Sequence, residues 1–268
     1  GFLLGATAGR TTLTGEGLQH CDGQSQLYAT AYPNCRAYDP AFAYEMAVIV
    51  REGIQRMYGP DAEDCFYYLT LYNETYPMPP MPDGVEDGII RGLYPFRAAT
   101  HEGRHRAQLL ASGTAMLAAM DAQRMLAEEF DIAADLWSAT SYKLLRDEAL
   151  SVERWNRLHP TEAPRVPYAT ECLADVEGPI VAVTDFVKAV PDQIARFVPS
   201  PFVPLGTDGY GFSDTRVALR RHFEVDAPHL VVAVLDALAR QGDIKGELVA
   251  EAIRRYDLDP DRPDPRTV

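Results

Sequence analysis

Residues 108–138, QLLASGTAMLAAMDAQRMLAEEFDIAADLWS, decide the fold class. The run opens with the end of an apolar strand, Gln108 to Ala111, and turns at Ser112-Gly113-Thr114. Apolar residues then recur at helical spacing from Met116 to Leu126, and Ala133 to Ser138 predicts another strand. Strands that alternate with helices of this length favour a parallel or mostly parallel sheet with helices on its faces.

The same alternation continues toward the C-terminus. Tyr142 to Leu158 predicts a helix, Ile180 to Thr184 a strand and Val187 to Phe197 a further helix. Asp226 to Tyr256 predicts two helices, and the first is apolar on nearly all sides. A helix of that kind is expected in a core or in a subunit interface. The chain is therefore expected to be an α/β protein.

The residues before 108 suggest part of a second unit. A short strand and a glycine-rich turn are expected within residues 1–13, and a polar loop from Thr14 to Gln26. Asp39 is a suitable N-cap and Pro40 a suitable first residue for a helix that reaches Met57. The aromatic-rich run from Cys65 to Tyr72 predicts a buried strand.

Four prolines between Tyr76 and Pro82 indicate a stiff, extended connector. We place a domain boundary after it, which gives domains at residues 1–98 and 99–268. The apolar opening, which has neither Met nor a basic leader, resembles the middle of a fold. We therefore expect further residues upstream of Gly1.

Composition excludes several classes of partner. The 268 residues carry a formal net charge of −14, whereas nucleic acid and anionic membranes attract basic surfaces. No apolar run reaches the roughly 20 residues that a bilayer-spanning helix needs. The four cysteines show no C-x-x-C spacing, which argues against a zinc site and suits a reducing cytoplasm.

The segment GEGLQHCDG, residues 15–23, is the most informative motif. Its glycines allow a close approach to a ligand, and His20 with a nearby carboxylate could handle protons. A glycine-rich surface loop that contains a histidine is the commoner case. The segment lacks the strand, third glycine and helix of a dinucleotide-binding motif.

For two other polar segments the structural interpretation is the commoner one. Leu71 to Tyr76 follows a predicted strand, where α/β proteins often bind ligands, although polar loops are common there. Gly206 to Gly211 lacks the features of a phosphate-binding loop, so we predict a tight turn with Asp214 capping the next helix. The remaining histidines have no metal-ligand spacing, and Trp137 and Trp155 are expected in the core.

Several sequence blocks, in order, resemble the homodimeric pyruvate dehydrogenase component of bacterial pyruvate dehydrogenase complexes. The blocks are GRTTL (9–13), GEGLQH (15–20), DG (22–23), PN (33–34), YDP (38–40), NE (73–74), MP (78–79), ERWN (153–156), LHP (158–160), PRVPY (164–168), GTDG (206–209) and HFEVD (222–226). They cover essentially the whole chain. The resemblance implies a transketolase-like architecture: residues 1–98 would be the C-terminal half of a pyrimidine-binding domain, and 99–268 a transketolase-like C-terminal domain.

The family resemblance also implies chemistry. Members decarboxylate pyruvate with thiamine diphosphate and Mg²⁺, and reductively acetylate the lipoyl group of a dihydrolipoyl acyltransferase partner. By this resemblance His20 would donate a hydrogen bond to an oxygen of the substrate-derived group, and Glu16 would position the substrate or His20. Weaker candidates for the pocket wall are Asn73, Tyr76, Gln19 and Asp22.

The sequence departs from the family pattern in two respects. Gln24 and Gln26 occupy positions where histidines are expected, and Cys21 replaces an expected acid. The family's glutamate that activates the cofactor, and its diphosphate and magnesium site, would lie upstream of Gly1. The chain alone is therefore expected to be inactive, with two active sites formed between subunits of an intact homodimer.

Two alternatives remain at this stage. The chain could be a non-catalytic module for assembly or dimerisation, which the missing cofactor anchors would suit. It could also come from a transketolase-type sugar transferase, although the blocks after residue 150 match pyruvate dehydrogenase better.

Overall fold

The computed structural model describes residues 1–6 and 9–268 and contains two β-sheets. The first has the order β1-β3-β2, with every neighbouring pair parallel. Its strands are β1 (Phe2–Gly5), β2 (Cys35–Tyr38) and β3 (Phe66–Thr70). Helix α1 (Ser25–Tyr28) precedes β2, and α2 (Ala43–Tyr58) connects β2 to β3.

The second sheet has the order β4-β6-β5-β7-β8, and only β4 is antiparallel to its neighbour. Its strands are β4 (Tyr94–Arg97), β5 (His105–Ala111), β6 (Ile132–Ser138), β7 (Ile180–Val183) and β8 (Phe202–Leu205). The remaining helices are α3 (Glu86–Arg91), α4 (Ala115–Phe130), α5 (Tyr142–Leu158), α6 (Tyr168–Cys172), α7 (Arg216–His222), α8 (Ala227–Gln241) and α9 (Gly246–Arg255). Short 3-10 turns occur at Leu18–His20, Ala29–Ala31, Pro191–Phe197 and Pro265–Thr267.

Helices cover both faces of the second sheet because its central strands are apolar on both sides. On β7, Val181 and Val183 pack in one core with α4 and α8, while Ile180 and Ala182 pack in another with α5 and α6. Successive strand residues point to opposite faces, so a continuous apolar run buries itself only between two helical layers. The mostly parallel α/β fold is thereby confirmed.

Most of the predicted elements in the second sheet are confirmed. Strand β6, helix α5 and strand β7 lie within one residue of their predicted bounds, and α4 begins one residue before Met116 and extends four residues past Leu126. Helix α8 buries most of its apolar residues, as its composition predicted. Residues 76–82 form neither helix nor strand, in agreement with an extended connector.

The predicted start of the first long helix was wrong. Helix α2 begins at Ala43, and the side chain of Glu45 accepts hydrogen bonds from the backbone N–H groups of Ala41 and Phe42 at 2.5 and 3.1 Å. Asp39 is only 5% exposed and does not cap the helix. Its side chain instead accepts hydrogen bonds from hydroxyl groups on neighbouring strand ends, described below.

Three further predictions were wrong in detail. Val187 to Phe197 is not a regular α-helix, since its helical part is limited to Pro191–Phe197 and is a 3-10 helix. Thr215 rather than Asp214 caps α7, because its side chain accepts from the N–H of Ala218 at 3.3 Å. Trp155 is only partly buried, between the His159 ring at 4.4 Å and the Arg165 guanidinium at 3.8 Å.

The carboxyl ends of the two sheets meet at a buried polar seam. Asp39, directly after β2, accepts hydrogen bonds from Thr70 Oγ1 at 2.7 Å, from the Tyr72 hydroxyl and from Ser112 Oγ at 2.6 Å. Ser112 follows β5, and its Oγ also lies at hydrogen-bond distance, 3.0 Å, from Thr184 Oγ1, directly after β7. Burial raises the pKa of Asp39, while these hydroxyl donors partly offset that effect. The seam fixes the relative position of the two strand-end regions.

Glu45 makes a second connection across the seam. Its carboxylate accepts hydrogen bonds from Ser138 Oγ and the Tyr94 hydroxyl, both at 2.6 Å. Both donors belong to the second sheet, and β4 lies before the predicted domain boundary. The boundary at residues 98 and 99 stays a prediction.

Candidate active site

The segment with the strongest chemical motif is an exposed loop between two buried stretches. We call residues 14–21 the candidate loop, and residues 9–13 with 22–23 its base. Glu16, Gln19 and His20 are all exposed, and Leu18–His20 forms one 3-10 turn. The N–H of His20 donates to the carbonyl of Gly17 at 3.1 Å. The turn therefore presents the carboxylate and the imidazole to the outside of this chain.

Asp22, in the base directly after the candidate loop, organises the next helix. Its Oδ1 accepts from the backbone N–H groups of Gln24 and Ser25 at 3.1 and 2.9 Å, and its Oδ2 accepts from the Ser25 hydroxyl. These bonds satisfy N–H groups at the start of α1. The structure thus gives Asp22 a local structural role, and its predicted place in a substrate pocket stays a prediction.

The three unexpected residues beside the loop have different surroundings. Gln26 is buried, and its Nε2 donates to the carbonyl of Tyr38 at 2.9 Å. The Oε1 of Gln24 accepts from the N–H of Gly23 at 3.3 Å. The thiol of Cys21 lies 3.7 Å from the carbonyl oxygen of Phe212, and burial raises its pKa. Gln24 and Gln26 therefore hold backbone in place rather than present a titratable group.

Asn73 and Tyr76 follow β3. The Asn73 carbonyl accepts from Arg216 Nη2 at 2.5 Å, and Arg216 Nε donates to the carbonyl of Thr12 at 2.7 Å. Arg216 thus brings the segment after β3 to the base of the candidate loop. The Tyr76 hydroxyl donates to the carbonyl of Ala41, and burial raises its pKa. The Tyr76 hydroxyl is therefore engaged in a backbone contact.

Arg10 anchors the base of the candidate loop to the segment at residues 207–209. It is 2% exposed, and its Nη1 donates to the carbonyls of Thr207 and Gly209. Gly23 lies against the guanidinium so closely that a Cβ at residue 23 would collide with it. A backbone bridge between Gly9 and Asp22 closes the base. Both ends of the loop are therefore fixed around one buried cation.

Asp185, just after β7, holds the other side of the base. It is 1% exposed, and its Oδ2 accepts from the N–H of Thr11 at 3.2 Å. Gly9 has φ +81°, and the same carboxylate occupies the space that a Cβ would need there. Oδ1 has no hydrogen-bond partner in the described part of the chain. Burial raises the pKa of Asp185 to about 7.

The described residues do not provide a site for a magnesium ion. Within residues 1–6 and 9–268, no group of three or more His, Cys, Asp or Glu side chains is arranged to hold a metal ion. A magnesium ion would need ligands other than these residues. A cavity of about 940 Å³ runs along α2, and its lining includes Ala47, Arg51, Glu63 and Ile90 but neither Glu16 nor His20.

Two family models match the chain. Residues 1–79 match the pyruvate dehydrogenase E1 component middle domain, and residues 92–226 match the transketolase-like TK C-terminal domain. The chain belongs to the transketolase-like family. A solved structure, transketolase from Leishmania mexicana, superimposes with a TM-score of 0.61 at 16% identity, over 88% of this chain and 30% of that one. At that identity the likeness shows the fold alone.

Closer family members are pyruvate dehydrogenase E1 components. The one from Pseudomonas aeruginosa is 51% identical over 99% of this chain, and the one from Mycobacterium tuberculosis is 52% identical over 97%. The chain spans 30% and 28% of their lengths. It corresponds in sequence to their C-terminal part. The resemblance inferred from the sequence is thus confirmed. Among the described helices, none is long and apolar enough to cross a membrane.

Sequence reasoning missed the residues that hold the candidate loop. Arg10 stood inside a recognised block without a role, and Asp185, Arg216 and Arg220 were not singled out. Arg216 and Arg220 are four residues apart on a short helix, which places them on one face. That spacing was the available signal, but nothing in the sequence identified the distant backbone groups that they bind.

Proposed function

We propose that the protein to which this chain belongs is a pyruvate dehydrogenase (acetyl-transferring) that uses thiamine diphosphate and Mg²⁺. The identity of 51% to the Pseudomonas aeruginosa relative over nearly the whole chain carries this proposal. It favours this activity over sugar transfer and over a purely structural module. Because the chain spans less than a third of that relative, the activity is assigned to the whole protein.

In this proposal His20 and Glu16 form one wall of the active site. His20 donates a hydrogen bond to the carbonyl oxygen of bound pyruvate as negative charge develops on it. Glu16 lies four residues earlier in the same exposed loop and orients His20 or the substrate. Asn73, Tyr76, Gln19 and Asp22 are proposed as more distant parts of the pocket wall. Thiamine diphosphate supplies the electron sink when bound, and its anchors lie elsewhere in the protein.

The proposed partners follow from the same assignment. A second copy of the protein completes the active sites, and a dihydrolipoyl acyltransferase receives the acetyl group on its lipoyl arm. We also propose a cytoplasmic location, since the four cysteines are all unpaired. A reducing compartment keeps thiols in that state.

The test compares substrates for the full-length protein with thiamine diphosphate and Mg²⁺ added. Carbon dioxide release from pyruvate, with acetyl transfer to an isolated lipoyl domain, is the expected result. Turnover of a ketose phosphate and none of pyruvate would instead establish a sugar transferase. If neither substrate reacts in a protein that binds the cofactor, the proposed activity is wrong.

A further inference from the structure

Helix α7 extends two arginines toward the N-terminal part of the chain. Arg216 and Arg220 are one helical turn apart and share a face. Thr215 caps the helix, and Leu219 and Phe223 anchor it in the core. These contacts fix the rotation of α7 about its axis, so the direction of both guanidinium groups is set by packing.

Arg216 joins two separate segments through their backbones. Its Nε donates to the carbonyl of Thr12 at 2.7 Å, and its Nη2 donates to the carbonyl of Asn73 at 2.5 Å. Thr12 is fully buried at the base of the candidate loop, two residues before that loop begins. A guanidinium can bridge two acceptors because its donors form a rigid planar fork.

Arg220 makes a more buried connection to the same two segments. Its Nη1 donates to Glu74 Oε1 at 3.3 Å, its Nη2 donates to Glu74 Oε2, and its Nε donates to Thr11 Oγ1 at 3.3 Å. The side chains of Arg220 and Glu74 are 18% and 12% exposed. Loss of Glu74 would leave the largely buried charge of Arg220 without this counter-ion. Loss of Arg220 would leave Glu74 with only the longer ion pair to Arg216 Nε, at 3.9 Å.

We infer that Arg216 and Arg220 are positioning residues that fix the candidate loop relative to the segment after β3. The inference rests on the proposed function for its catalytic meaning. Neither arginine needs to reach a reacting atom, since both act through Thr11, Thr12, Asn73 and Glu74. They hold the base of the loop at the place from which Glu16 and His20 project.

The experiment uses the full-length holoenzyme and the variants Arg216→Met, Arg220→Met and Glu74→Gln. We expect kcat to fall about tenfold or more while KM for pyruvate changes less than about threefold, because small misplacement of a catalytic group lowers turnover. Hydrogen exchange in peptides that cover residues 11–23 should accelerate. Arg220→Lys keeps the charge near Glu74 but loses the fork, so its kcat should lie between those of the wild type and Arg220→Met.

Arg221→Met is the matched control on the same helix. Arg221 pairs with Asp226 at 3.3 Å and donates to the carbonyl of Tyr256 at 3.2 Å, both away from the candidate loop. For Arg221→Met, kcat and the rate of hydrogen exchange in residues 11–23 should stay within about twofold of the wild type, because none of the contacts of Arg221 reaches the loop. Equal effects of Arg221→Met and Arg220→Met would overturn the inference, because they would reflect general loss of stability.

The two proposals fail in distinguishable ways. If the wild-type protein does not turn over pyruvate, the proposed function is wrong, and hydrogen exchange alone still tests the arginine pair. If pyruvate is turned over but the variants at 216 and 220 exchange at the wild-type rate in residues 11–23, the pair does not position the loop. Accelerated exchange with an unchanged kcat would equally exclude a positioning role in catalysis.

Discussion

The candidate loop and its base are adjacent in sequence and opposite in character. In the loop, Glu16 and His20 are exposed, and the described hydrogen bonds are made mainly by backbone. In the base, Arg10 and Thr12 are almost fully buried and connect to residues about 200 positions away. The difference teaches that reactive groups and the groups that place them can come from distant parts of one chain.

The largest expected effect comes from a change in the loop itself. His20→Ala in the full-length enzyme should lower kcat for pyruvate by about 10²–10³-fold, the usual loss for one hydrogen bond that forms in the transition state. The melting temperature should stay unchanged because His20 is exposed. Steady-state kinetics and calorimetry check both points. Wild-type turnover in the His20→Ala variant would show that His20 is not part of the catalytic site.

A smaller effect on rate, with a clear effect on stability, is expected at the base. Arg10→Met leaves the carbonyls of Thr207 and Gly209 without their charged donor. Hydrogen bonds to charged groups contribute roughly 1.5–3 kcal/mol each, so the melting temperature should fall and kcat should drop about tenfold.

Arg106→Met serves as the control, since Arg106 pairs with Asp135 at 2.7 Å near the opposite end of the second sheet. It should leave kcat unchanged. If both variants reduce kcat equally, the contacts of Arg10 do not set the loop.

The smallest effect on kcat is expected at Asp185. The pH dependence of stability tests whether its carboxyl group is protonated or ionised in the fold. Burial raises its pKa from the ordinary value of 3.8 to about 7 in the fold. The polar groups that interact with it include Thr11, Arg220, Asp39, Arg10, Tyr72 and Cys21. Between those values the folded chain keeps a proton that the unfolded chain releases, so this group lowers stability as pH rises. Because an amide does not titrate, Asp185→Asn removes this loss of stability at higher pH.

The free energy of unfolding of Asp185→Asn relative to wild type should therefore rise by about 2 kcal/mol between pH 5 and pH 8. Asp135→Asn is the control: burial would raise its pKa, but the Ala99 amide and Arg106 together lower it. Its ionised form is already present at pH 5, so its effect should be the same at both pH values. A pH-independent difference for Asp185→Asn would show that Asp185 is ionised throughout.

The elements that were predicted correctly are those whose burial follows from the local spacing of apolar residues. Helix α4 and strand β7 have apolar spacing that only one environment satisfies. Strand β2, with the sequence CRAY, and strand β8, with a proline at its third residue, were missed because their pairing depends on neighbours far along the chain. Asp39 was misassigned as a cap because its three hydroxyl donors come from two distant segments, the end of β3 and the residue after β5.

The same reasoning explains the partial prediction of the site. Glu16 and His20 lie in one recognisable motif, so a single short segment was enough to propose them. The contacts of Arg216 with Thr12 and Asn73 each span more than 140 residues. Long-range backbone acceptors leave no trace in the local pattern around an arginine.

The buried seam between the strand ends has a consequence for a nicked chain. Asp39, Glu45 and Asp185 would each lose buried hydrogen-bond donors if the two sheets separated. The connector at residues 76–82 links the two parts covalently, and several of its residues are exposed. It makes few of the buried hydrogen bonds that join the two sheets. A single cut there would leave two polypeptides that remain bound and co-elute, and only denaturant would release them.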